Sequence, residues 1–153
     1  MWEELASRDA LIQFHMRAED ADQVGEIARR HPNMTLLIDH MGYPNVDEGL
    51  APFAPVLSLA QHPNIIVKIS DVKGRSKEVF PFRDVHRFVR ALLDDFGADR
   101  ALWGTGYPGH HRTKNNWLSL VDELRLVQEG FDFLTDTQRD RMLGGTAVDV
   151  WGL

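Results

Sequence analysis

Cysteine is missing altogether from this chain of 153 residues. Its absence removes disulfide staples, thiolate nucleophiles and cysteine-based zinc sites together, and it suits a reducing compartment. Apolar residues nowhere run close to the ~20 needed to span a bilayer. The opening Met1–Ala10 stretch carries acids at Glu3 and Glu4 and has neither the basic start nor the apolar core of a secretory leader. A cytoplasmic protein with no membrane partner is the expectation. Positive charge is also scarce: 17 Lys and Arg against 23 Asp and Glu leave a formal net charge of −6, which disfavours nucleic acid as a partner. A glycine-rich phosphate loop, an HExxH helix and a nucleophile elbow are all absent. What is present, 43% hydrophobic and 26% charged residues, is ordinary globular composition for a single domain over residues 1–153.

Four short apolar runs read as strands: Leu11–His15, Met34–His40, Ile65–Ser70 and Ala101–Thr105. They do not alternate cleanly, as expected of strands covered on both faces. Helical stripes lie between and after them. Ala21, Val24, Ile27 and Ala28 form one, ended by Pro32. A segment near 53–61 is weaker, because Pro52 and Pro55 crowd its start. Val85, Phe88, Val89, Leu92, Leu93 and Phe96 form the strongest stripe, stopped by Gly97. Trp117, Leu120, Val121, Leu124 and Val127 make another, with Gly130 after it. Thr135-Asp136-Thr137-Gln138 has the pattern of a capping box opening a short helix that Gly144-Gly145 closes.

One internal echo supports this division. His31-Pro32-Asn33 precedes the second strand and His62-Pro63-Asn64 precedes the third. Proline stops a helix and asparagine suits the turn that reverses the chain, so these two histidines read as turn residues. Strand–helix alternation at this spacing predicts an α/β fold with parallel strands and right-handed crossovers. A closed (β/α)8 barrel typically takes ~250 residues, so four units predict half of such a barrel. Its inner face and two edges need cover, from self-association as a homo-oligomer or from a missing N-terminal half.

In such folds the working groups sit at the carboxyl ends of the strands. His15 and His40 end neighbouring strands and should converge on one mouth. Imidazoles so placed are natural ligands for a divalent metal that activates water. The plainer alternative for each is a structural hydrogen bond. Asp39 should point away from His40 in a strand. Asp71 suits a loop or helix cap, with a carboxylate role at the mouth as the lesser alternative. His86 reads as a surface residue on the strongest helix. Trp2, Trp103, Trp117 and Trp151 read as packing residues.

The order FH, IDHMGYP, VKIS, FGADRALWGTGYP and RMLGGTAVDVWGL resembles the last four units of the amidohydrolase-related (amidohydrolase 2) family, over almost the whole chain. The resemblance implies half of a TIM-type barrel and a hydrolase or decarboxylase acting on a small carboxylated or lactone substrate. The alternative is a non-catalytic or truncated half-barrel that persists by self-association. It also implies that His15 stands at a metal-ligand position, with zinc or manganese as the metal, and that His40 is a ligand or orients substrate or water. Two departures are visible. No His-x-His pair precedes His15, and Gly106 stands in Gly104-Thr105-Gly106-Tyr107-Pro108 where the family pattern has aspartate. His110 and His111 could replace the lost carboxylate as base, and Arg112, with Tyr107, could hold a substrate carboxylate. The bland alternative for that loop is a solvated polar surface.

Overall fold

The computed structural model describes residues 1–107 and 117–153. One sheet holds four parallel strands in chain order: β1 (Leu11–Phe14), β2 (Thr35–Ile38), β3 (Ile65–Ile69) and β4 (Ala101–Trp103). All four are shorter than the apolar runs suggest, because the last residues of each run turn out of the sheet. Around them lie α1 (Trp2–Ala6), α2 (Ala21–Arg30), α3 (Ala54–Ser58), α4 (Val72–Arg75), α5 (Arg83–Phe96), α6 (Leu120–Arg125), α7 (Asp136–Asp140) and α8 (Thr146–Trp151). None of the described helices is long and apolar enough to cross a membrane.

Period-two alternation divides the strand side chains between two faces. On the helix-covered face, Leu36, Ile38, Ile65, Val67, Ile69 and Ala101 pack with Val24, Val56, Val85, Phe88 and Leu92 in the main core. The opposite, inner face is layered. Leu37, Ile66 and Leu102 form a small apolar cluster, with Leu11 and Val150 of α8 packed against it. Two residues further along each strand, the same face turns polar: Gln13, Asp39 and Lys68, with Gly104 completing the row. This layering is what half of a parallel barrel presents to its interior.

At the end of the sheet where the strands begin, each turn is tied down by a side chain from the next unit. Both His-Pro-Asn turns close with the same backbone bond, Met34 N–H to His31 O at 3.0 Å and Ile65 N–H to His62 O at 3.2 Å. Asn64, from the second turn, donates its side-chain amide to Met34 O at 2.9 Å, His31 O at 3.2 Å and Ala28 O at 3.3 Å. Arg100, before β4, donates to His62 O at 2.9 Å and Phe96 O at 3.1 Å. Thr146, at the start of α8, donates to Ala98 O at 2.8 Å. The turn role expected for His31 and His62 holds.

Several expectations need correction. His86 is 3% exposed, not on the surface, because the segment after α6 folds over α5. Its Nε2 is hydrogen-bonded to Pro81 O at 2.8 Å, and its ring packs on Phe131 and Phe133. Trp151 is half exposed, so it is not a packing residue within this chain. The stripe through Leu120 and Val121 is misphased: both are exposed, and the buried face runs through Glu123, Leu126 and Val127. The Thr135 capping box is present with Gln138. Gly144-Gly145 does not close the helix, however. A wide turn of π type over Arg141–Gly145 carries the chain on into α8.

The turn-lacing role of Asn64 has a measurable consequence. Asn64→Ala leaves three carbonyls short of a donor and should lower stability by about 1–3 kcal/mol. Urea unfolding followed by circular dichroism reads the loss; an unchanged midpoint would contradict the role.

Candidate active site at the strand ends

β2 ends at Ile38, and the chain then makes a 3-10 turn over Asp39–Gly42. Within it His40 and Met41 take left-handed backbone angles, with φ of 49° and 60°, as does Tyr43 with φ of 58°. Such angles are costly for residues other than glycine and cluster at functional sites. Gly42, at φ 68°, packs so closely on Val56 that a Cβ would lie 2.9 Å from its Cγ1. The turn cancels strand alternation, so Asp39 does not point away from His40 as expected. His40 Nε2 lies 3.4 Å from Asp39 Oδ2, and the His40 amide donates to Asp39 Oδ1 at 3.1 Å.

His15 and His40 do converge: their ring centroids are 5.5 Å apart at an interplanar angle of 74°. Tyr43 completes the group. Its ring stacks on His15 at 4.7 Å, lies 5.5 Å from His40, and its hydroxyl meets His15 Nε2. His15 is exposed at the edge of the sheet, whereas His40 is half-buried. His40 Nδ1 is hydrogen-bonded to Ser70 Oγ at 2.8 Å, and Ser70 itself is 1% exposed.

Beneath the imidazoles lies the polar row of the inner face. Asp39 accepts from Gln13 Nε2 at 2.7 Å and pairs with Lys68 Nζ at 2.5 Å. Lys68 passes over β4 at Gly104, where a Cβ would stand 2.7 Å from the lysine Cδ. Gly104 is therefore required by the lysine stem. Burial opposes ionisation of Asp39, but Lys68, His40 and Gln13 together outweigh it and hold the carboxyl below its ordinary value. His40 is pushed down chiefly by burial, with Lys68 and His15 acting in the same sense against the pull of Asp39 and Asp71. The imidazole is neutral near pH 7 and free to accept a proton.

A cavity of about 650 Å³ opens beside Tyr43, lined among others by Arg17, Asn45, Glu48, Arg75 and Lys77. A second space of about 450 Å³ shares Arg17, Glu19 and Tyr43 with it and reaches His15. Arg75 lies 4.7 Å over the Tyr43 ring and pairs with Asp71 at 3.0 Å, while its buried Nε has no hydrogen-bond partner among the described residues. Asp71, at φ 55°, is the residue before α4, as the loop expectation has it, but its side chain pairs with Arg75 and makes no cap bond. Tyr107 is exposed, with its amide on Thr105 Oγ1 at 3.2 Å. His110, His111 and Arg112 lie outside the described residues.

Among the described residues, His15 and His40 do not by themselves make up a ligand set for a divalent ion. His15 Nε2 is engaged by Tyr43, His40 Nδ1 by Ser70, and position 106 is glycine. Among the described residues no group of three or more His, Asp or Glu could hold a metal. Tyr43, Lys68 and Gln13 were not singled out from the sequence. The available signals were a lysine inside the apolar run Ile-Ile-Val-Lys-Ile and an aromatic residue just after a turn glycine.

A family model described as Amidohydrolase matches residues 1–153. The chain is 33% identical over 134 residues to an L-fucono-1,5-lactonase of Burkholderia ambifaria, covering 81% of this chain and 43% of that protein. It is 32% identical over 120 residues to a 2-pyrone-4,6-dicarbaxylate hydrolase of Comamonas testosteroni, covering 69% and 39%. Among solved structures, an amidohydrolase from Burkholderia multivorans with bound zinc superposes with a TM-score of 0.81 at 24% identity, over 99% of this chain and 56% of that one. The chain thus spans about half the length of the proteins it matches.

The buried histidines set a pH dependence. His40 and His86 both titrate below the ordinary value of 6.5 when folded, chiefly through burial. The unfolded chain therefore binds more protons, and their contribution is present above about 6.5 and lost as pH falls below it. Urea midpoints measured from pH 7.5 down to 5.5 should decline, and His86→Gln should flatten the decline. A midpoint that rises on acidification over this window would contradict the burial of both rings.

Proposed function

Because the chain belongs to the amidohydrolase family, we propose that its strand ends carry the acid–base part of a hydrolase site for small lactones or carboxylated esters. The observation that supports this most directly is the meeting of His15, His40 and Tyr43 at one mouth, over the ion-paired Asp39. His40 serves as general base. With Nδ1–H given to Ser70 Oγ, the Nε2 lone pair is left for the attacking water, since 3.4 Å to Asp39 is a weak contact. The negative charge of Asp39 then stabilises the imidazolium that forms. The Tyr43 hydroxyl, supported by His15, is placed to donate to the carbonyl oxygen as charge develops there. When the ring oxygen leaves, it takes the proton held on His40, giving an alcohol and a carboxylic acid that ionises by releasing its own proton to solvent.

His110 and His111 are assigned as further proton carriers, and Arg112 and Tyr107 as contacts for a substrate carboxylate. A divalent ion, zinc or manganese, would need donors from outside this chain's described residues. A second reading, a non-catalytic half-barrel, is favoured by one feature: glycine at position 106 in place of a proton-carrying carboxylate.

Hydrolysis of small lactones by the purified chain, followed as acid release, separates the two. His40→Gln should reduce kcat/KM by ~10²-fold or more, the usual scale for a lost general base, and Tyr43→Phe by a smaller factor. Circular dichroism should be unchanged in both. Activity that survives His40→Gln would remove His40 from the mechanism, and no turnover of any lactone or ester would leave the second reading.

A further inference from the structure

We propose that the cavity beside Tyr43 receives the hydroxyl groups of a neutral, polyhydroxylated lactone and turns away substrates that carry free carboxylates. This narrows the lactone reading above, on which it rests for the chemistry at His40. The wall of the cavity supplies the reasons.

At about 650 Å³ the cavity is in the usual size range of small-molecule sites. Three consecutive units build its wall. Arg17 and Glu19 follow β1, Tyr43, Asn45 and Glu48 follow β2, and Arg75 and Lys77 lie at and past the end of α4, after β3. Tyr43 belongs both to this wall and to the group with His15 and His40, so a lactone ring held at His40 extends its substituents into the cavity. The loop after β2 is fastened from behind: Lys77 pairs with Asp47, and Arg87 donates to Val46 O.

Charge decides against an anionic ligand. Arg75 is paired with Asp71 and Lys77 with Asp47, so two cations of the wall are already matched. Arg17 shares the wall with two further carboxylates, Glu19 and Glu48. Neither glutamate has a side-chain hydrogen bond or ion pair among the described residues. A substrate carboxylate placed here would meet acceptor-only groups and like charge. Hydroxyls meet the reverse. Each donates to a glutamate oxygen and accepts from Arg17 or Asn45. Asn45 Oδ1 is taken by the Asp47 amide at 3.1 Å, which leaves its NH2 as the donor.

The wall also lacks what a flat, unsubstituted ring would need. Among the described residues Tyr43 is its one aromatic side chain. That ring is already engaged by His15, stacked at 4.7 Å, and by the Arg75 guanidinium at 4.7 Å. Hydrogen bonds to charged groups are therefore the main attraction on offer.

Binding measured apart from turnover tests this. Isothermal titration calorimetry on the purified chain compares three stable lactams: a polyhydroxylated six-membered lactam, unsubstituted δ-valerolactam, and a pyridone dicarboxylate. We expect the hydroxylated lactam to bind at least ~10-fold tighter than either of the others. Glu19→Gln and Glu48→Gln should each weaken it by about tenfold, the scale of one charge-assisted hydrogen bond, and should strengthen the dicarboxylate. Both side chains are exposed, so circular dichroism should not change. Selective binding of the hydroxylated lactam supports the proposal even where no lactone is hydrolysed, so it and the hydrolase reading fail separately. It is overturned by a dicarboxylate or an unsubstituted lactam that binds as tightly, by hydroxylated-lactam binding that is unchanged in both glutamate variants, or by no measurable binding of that lactam.

Discussion

The carboxylate of Asp39 is the point from which the mouth of the sheet is organised. It receives Gln13 from β1 and Lys68 from β3, and it holds the amide of His40 at the end of its own strand. Three of the four strands are thereby tied at one level of the inner face. The fourth contributes by having no side chain: Gly104 lets the lysine stem lie flat across β4. Removing one partner of a buried ion pair typically costs ~3–5 kcal/mol, because the other is left charged and unpaired. At this position the loss would fall on the left-handed turn that aims His40, so stability and site geometry are coupled through one residue.

The two ends of the sheet are built on different terms. Where the strands begin, Asn64, Arg100 and Thr146 each reach back to carbonyls of the preceding unit. These are neutral or singly charged bonds between residues 30 to 48 positions apart, and they fix how one unit follows another. Where the strands end, the backbone adopts angles that cost energy, and titratable groups lie within a few ångströms of one another. That division, stability at the strand starts and chemistry at the strand ends, is the one expected of parallel α/β architecture. It also explains how Gly106 can be tolerated. A first-strand-to-fourth-strand sheet does not need a side chain there to fold, whatever its absence costs in chemistry.

Much of this organisation was legible in the sequence. The apolar runs and the repeated His-Pro-Asn turns place four strands in order, and strand-end reasoning brings His15 and His40 together. The misses share a physical cause. Asp39 keeps the inner face that alternation from Leu37 gives it; it is His40 that departs, because its left-handed backbone turns the ring back towards the carboxylate. His86 looked exposed because α5 is amphipathic on its own; the phenylalanines that cover it come from a later segment. Leu120 and Val121 look apolar enough to be core, yet face outward, and Trp151 does the same. Exposed apolar groups of this kind are legible only once the tertiary partner is known.

A crystal structure of the chain tests the convergence of His15 and His40 over Asp39 most directly. Both imidazoles should lie at one opening, with Lys68 Nζ and Gln13 Nε2 on the same carboxylate and the His40 backbone left-handed. Electron density that places the two rings on opposite faces of the sheet, or turns Lys68 away from Asp39 into solvent, would contradict it.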